Sequence, residues 1–321
     1  MRIDPAIAAL RGDRALQRQA QQVMEIAKRR WLAQPAVARL EEELGSYAVG
    51  CRLEDCLGLS EMFEGGDIAR DVTESLVAEM LAALHGEPLG QVPFRHSTRP
   101  GFAMLQLLAS GNAVLSLAIY EGSAQSPVPT ESIAFPDVER HEVVLAGVAD
   151  ARIVRRTSRH DAGAVLEFES IRLSRGSVLA FEGNASARVI DRIEGRLLVL
   201  RLNRTPAQPE PAEEFRLADG ALLHRAAGSK LDTHREMALE LLGRMGRSDA
   251  APLFERLAQA GSAPTRWLAV RECLALDTFR GFRALSRIAA DPQDELAAPA
   301  GALRAQLLEA HPQLEDMPCP A

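Results

Sequence analysis

The chain has 321 residues, 47% of them hydrophobic and 25% charged, a globular balance with room for two or three cores. Its 37 basic and 44 acidic residues give a net charge of −7, which argues against a dedicated nucleic-acid binder. No apolar run is long enough to span a bilayer, and Asp4, Pro5, Arg11 and Asp13 interrupt the N-terminus, so neither a membrane span nor a signal peptide is expected and the default location is the cytoplasm.

Residues 1–91 read as a helical region. Leu16, Ala20, Val23, Ala27 and Trp31 recur at helical spacing, and Lys28, Arg29 and Arg30 close that helix where cations complement its dipole. "QPAVARLEEELGS" and "LEDCLGLSEMFE" predict two shorter helices. Asp67, after Gly65 and Gly66, is the expected N-cap of a helix carrying Ile68, Val72, Leu76, Met80 and Leu84, which His85-Gly86 ends. Cys51, Cys56, Cys273 and Cys319 are expected as reduced, buried or half-buried thiols.

Residues 92–228 change period. "GFAMLQLLASGNAVLSLAIYEG" is two apolar runs around Ser110-Gly111-Asn112, a hairpin. "HEVVLAG", "ADARIVRRTS", "AVLEFES", "SVLAFEG", "SARVID" and "RLLVLRLNR" predict further strands, and Asp219-Gly220 predicts another hairpin. Short strands with glycine-marked turns suggest a sandwich or barrel.

Residues 229–321 return to helix and repeat themselves. An offset of thirty-one positions pairs Arg235 with Arg266, Ala238 with Ala269, Phe254 with Leu285 and Leu257 with Ile288, and Ala300 continues the series. Thr233 with Glu236 is the expected capping box of the first copy, and Asp291-Pro292 the expected start of the last helix. Recurring helix pairs follow the logic of α-solenoids, each copy covering the face its neighbour leaves open. The Arg-x-x-Ala opening, the Leu-Gly near the first helix's end and the "ADP" turn resemble HEAT-type repeats over residues 232–311.

A second resemblance lies in the strands. "VVLAG" followed some thirty residues later by Gly176-Ser177-Val178, a turn and another strand resembles the cupins, small jelly-roll barrels that commonly hold a divalent metal through His-x-His, Glu and a further His. The resemblance implies an α+β protein with N-terminal helices, a central antiparallel barrel and C-terminal helical repeats. It also exposes missing ligands. Arg140 occupies the glutamate position, the His-x-His positions fall among Ile133, Ala134, Phe135 and Pro136, and Ala187 stands for the last histidine. His141 and Glu142 are neighbours on one strand and point to opposite faces, so a shifted register does not rescue the site.

No nucleophile elbow, phosphate-binding loop or dinucleotide fingerprint occurs. The expectation is a non-enzymatic binding protein without cofactor or metal, whose helical repeat takes a protein partner or a second copy. The alternative is an atypical cupin-like metalloenzyme or small-ligand sensor using the barrel interior, with His96, His141 and Arg188 as the pocket residues.

Overall fold

Trp31 marks the face on which the N-terminal helices close. In the computed structural model, which describes residues 15–122, 131–160 and 162–314, helix α1 (Ala15–Leu32) buries Ala20, Met24, Ala27 and Trp31. Leu16 is exposed, so the buried stripe is turned slightly from the one its spacing picks out, with Met24 in the core and Val23 only at its margin. The indole Nε1 donates to Ser75 Oγ at 3.2 Å, and the ring meets Phe94 edge-on. Lys28 is more than a dipole complement, since its Nζ donates to the Pro93 carbonyl at 3.0 Å and lies over the Phe94 ring.

Helix α2 (Pro35–Ala48), a short 3-10 turn, α3 (Leu57–Met62) and α4 (Asp67–Gly86) complete this layer. Asp67 is the first helical residue and not the cap. Gly66, at φ 83°, takes that place with the left-handed backbone that a β-carbon disfavours, and Asp67 instead pairs with Arg70.

Ten strands follow among the described residues, all the named pairs of the main sheet antiparallel. They are β1 (His96–Arg99), β2 (Phe102–Ser110), β3 (Ala113–Glu121), β4 (Ser132–Phe135), β5 (Glu139–His160), β6 (Gly163–Leu173), β7 (Val178–Phe181), β8 (Ser186–Arg204), β9 (Ala212–Arg216) and β10 (Leu222–Ala226). The main sheet runs β1-β2-β3-β8-β5-β6 with β7 added alongside β5, and a small sheet runs β10-β9-β4. The hairpins at Gly111-Asn112 and Asp219-Gly220 are both present.

Two departures from the sequence expectation share one cause. "HEVVLAG" and "ADARIVRRTS" form one strand of 22 residues, and "SARVID" and "RLLVLRLNR" one strand of 19. Gly147 and Gly195, which separate those segments, are bends within pairing strands. Gly147, at φ 92°, sits where the β5–β8 register shifts, and a β-carbon there would lie 2.0 Å from the Arg196 carbonyl oxygen. Such bends curl the sheet without closing it, because among the described residues β1 pairs only with β2 and β6 only with β5 apart from one bridge to Ala221. The expected closed barrel is therefore an open, curled sheet.

One face of that sheet packs on the helices. Leu107, Leu115, Leu117, Val143, Leu145, Leu200 and Leu202 join Met24, Trp31, Leu44, Tyr47 and Met62 in a single core. The opposite face holds a separate cluster of Val144, Ala149, Ala151, Leu173, Leu197 and Val199.

The chain divides into two compact units, Met1–Ala207 with Glu214–Leu223 and Gln208–Glu213 with His224–Ala321. The second is built on α5 (Lys230–Arg244), α6 (Ala251–Leu257), α7 (Ala263–Leu276), α8 (Thr278–Ala290) and α9 (Ala297–Ala310) around Leu239, Phe254, Ala269, Leu285, Ile288 and Ala300. The offset pairs hold at Phe254 with Leu285 and Ala269 with Ala300, all four buried. They slip in the first copy, where Leu239 is buried and Ala238 exposed.

Both expected caps are displaced. Ser229 caps α5 by accepting from the Asp232 amide at 3.0 Å, while Glu236 accepts from Thr265 Oγ1 and ties α5 to α7. Asp291 ends α8, and α9 begins only at Ala297, because Asp294 turns the chain and pairs with Arg266.

Candidate functional site

Alternation along β5 puts Arg140, Glu142 and Val144 on the face away from the helices and His141, Val143 and Leu145 on the face toward them. On β8, Arg201 pairs with Glu142 and Asn203 with Arg140, and on β3, Ser116 pairs with Arg201. Two strands, β5 and β8, thus bring charged side chains to one buried patch, and β3 adds polar ones.

Glu142 is its centre, with its residue 2% exposed. Arg201 Nε donates to Glu142 Oε1 at 2.8 Å, and Arg188 Nε to Oε2 at 3.1 Å. Arg201 Nη2 also donates to the Tyr120 hydroxyl, and Arg188 stacks over the Tyr120 ring at 5.4 Å. Arg140 Nε donates to Asn203 Oδ1 at 3.1 Å.

Arg188 and Arg201 are thirteen residues apart on one strand, a contour of about 40 Å if extended. Both reach Glu142, so the bends in the sheet are what assemble the cluster. Burial alone would push the Glu142 carboxyl up, but the charges of Arg188, Arg201 and Arg140 outweigh it and hold the group below the usual carboxylate range. Burial, with the charge of Arg201 beside it, pulls the Arg140 guanidinium below its ordinary value.

The three residues expected to form a pocket do not meet. Arg188 belongs to the cluster. His141 lies on the helix side, bonded through Nε2 to Glu139 at 3.1 Å and against the Phe63 ring. Arg204 donates to the same Glu139 and to the carbonyls of Tyr47 and Cys51, which pins the helices to the sheet. His96 begins β1 and lines an open apolar cleft of about 550 Å³ with Thr98, Met104, Leu105, Leu117 and Ile119.

The positions assigned to the metal motif divide between an apolar cluster and the guanidinium patch. Ile133, Phe135 and Ala187 pack in an apolar cluster with Val154 and Phe215, and Arg140 is in the guanidinium patch. Among the described residues, no three His, Cys, Asp or Glu side chains come together as a metal site. Cys56 and Cys273 are buried thiols, the latter pushed up to about 11 by burial; Cys51 is exposed, against expectation, and Cys319 lies outside the described residues.

Arg201 and Tyr120 had no part in the sequence expectation, and Glu142 entered it only as a failed metal ligand. The signal available was a charge inside an apolar strand, Glu142 in "HEVVL" and Arg201 in "LLVLRLNR".

No protein-family model matches the chain, and no curated protein matches it. Among solved structures, a sugar phosphate isomerase from a cupin superfamily of Silicibacter pomeroyi is 10% identical, covering 43% of this chain and 94% of its own, with a TM-score of 0.27. KdgF from Halomonas sp. is 11% identical over 35% of this chain and 86% of its own, with a TM-score of 0.25. A cupin superfamily protein from Desulfitobacterium hafniense is 16% identical over 34% of this chain and 81% of its own, with a TM-score of 0.23. Two of the three carry the cupin name. Identity and TM-score are too low for these likenesses to bear on function.

Proposed function

We propose that this chain is a non-catalytic binding protein, with a cupin-like curled sheet that does no metal chemistry and a HEAT-like helical unit that serves as an interaction surface. The observation that carries the first part is the arginine cluster. Arg140, at the position the resemblance assigns to a glutamate ligand, lies with Arg188 and Arg201 as guanidinium groups, and the one carboxylate beside them, Glu142, is already engaged by two of them. A dication placed there would face three positive charges and find no free donor set.

The second part is supported by α5. Met237 and Leu241 on it and Met245 at its C-cap recur at helical spacing, 64%, 59% and 58% exposed. Terminal helices of a stacked repeat are ordinarily polar on the outside, so an apolar outer stripe fits a surface that another chain covers.

The test of the first part is elemental analysis of protein purified without chelator, with turnover assays after reconstitution with iron, zinc or manganese. Metal-poor protein without turnover is the expected result. Stoichiometric metal with turnover that is lost in His141→Ala would favour the metalloenzyme alternative and overturn the proposal.

A further inference from the structure

We infer that the Arg140–Arg188–Arg201 cluster is a receptor for a small oxyanion, a carboxylate or a phosphate group held on the inner face of the curled sheet. The inference rests on the metal-free reading of that interior.

Two features of the cluster are unresolved by the protein's own groups. The first is charge. Three guanidinium groups share Glu142 alone, and Arg140 makes no ion pair among the described residues. The second is a donor. Arg188 directs Nε and Nη2 to Glu142, with Nη2 also reaching the Tyr120 hydroxyl, but its Nη1 is buried without a hydrogen-bond partner, in a side chain only 5% exposed.

An unmade buried N–H and an unbalanced buried charge are both costly. A metal ion would worsen the charge, and a neutral ligand would leave it standing. An oxyanion answers both, because its oxygens accept from the guanidinium fork while its charge balances the patch. The Tyr120 hydroxyl accepts from Arg201 and, at 3.4 Å, from Arg188 Nη2, which occupies its oxygen and leaves its own proton to add a donor to the anion.

The face is not sealed. Phe102, Met104 and Gln106 pair across from Tyr120, Ala118 and Ser116 on the same side of the sheet, and these three, with Tyr120 and Arg140, are only partly buried.

The experiment is isothermal titration calorimetry of the full chain after dialysis against chelator, with inorganic phosphate and malonate titrated separately at constant ionic strength. Binding of at least one anion near one per chain, with a dissociation constant below about 1 mM, is expected. Arg188→Met should weaken it at least about tenfold, with Arg188→Lys between the two because it keeps the charge and loses the fork. His96→Ala, at a cleft residue outside the cluster, should bind as the wild type does. If Arg188→Met does not fold by near-ultraviolet circular dichroism, Tyr120→Phe replaces it, with a loss of several-fold expected. Phosphate binding without malonate, or the reverse, identifies the class of ligand. Absence of heat with both anions, or undiminished binding in the Arg188 or Tyr120 variant, would overturn the inference. Because the metal and turnover assays use unchelated protein, a failure there is distinguishable from a failure here.

Discussion

At the residue scale, charged groups buried in the sheet serve two different ends on its two faces. Glu142 and its arginines form the inner cluster, whereas Glu139 joins His141 and Arg204 on the helix side as a structural clasp. The His141 hydrogen bond, with Arg204 adding to it against the opposing pull of burial, holds the Glu139 carboxyl down to about 2. Its unfolded value is near 4.5, so the unfolded chain binds more protons between those values. The clasp therefore stabilises fully above the unfolded value, and the contribution fades as pH falls toward about 2. Urea midpoints measured from pH 6 down to pH 3 should drop, and His141→Leu should flatten that dependence. An unchanged slope in the variant would remove Glu139 from the account. His141, expected as a pocket residue beside Arg188, is half-buried on the other face, since the alternation that separates it from Glu142 also separates it from Arg188.

At the element scale, the decisive feature is that β5 and β8 do not break at their glycines. Each strand stays paired through a bend, and the bends bring Arg188 back to the carboxylate that Arg201 already holds. Gly147 is where this is most sensitive, because both the positive φ and the approach of the Arg196 carbonyl forbid a side chain. Gly147→Ala should cost about 2 kcal/mol or more in urea unfolding, and it should weaken any anion binding by misplacing the strands. A neutral result would mean that the bend tolerates a β-carbon by local shift. The strands themselves were legible from apolar runs and turn residues. Their fusion was not, because a glycine that turns a chain and a glycine that bulges a strand are the same letter, and only the partner strand distinguishes them.

At the scale of the whole molecule, the first unit covers the apolar face of its sheet with its own helices, while the second leaves the α5 stripe open. Self-association through that stripe predicts a concentration-dependent mass in light scattering. Leu241→Glu should return the protein to a monomer without loss of thermal stability, since Leu241 is exposed and contributes little to its own core. A wild type that is monomeric at every concentration would eliminate a second copy as the occupant. Among the described residues, no helix is long and apolar enough to cross a membrane.

Periodicity by itself determined the order of helices, strands and helices and the thirty-one-residue echo in the last third, because each depends on spacing along the chain. The cupin resemblance, for its part, implied metal-motif positions that hold Arg140 and Ala187, residues unsuited to a dication. What only the tertiary structure decided is which distant residues share a face: the helices on one side of the sheet, and on the other Arg188, thirteen positions before Arg201, folded back onto the same Glu142. Burial and curvature choose those neighbours, and neither is a property of any local stretch of sequence.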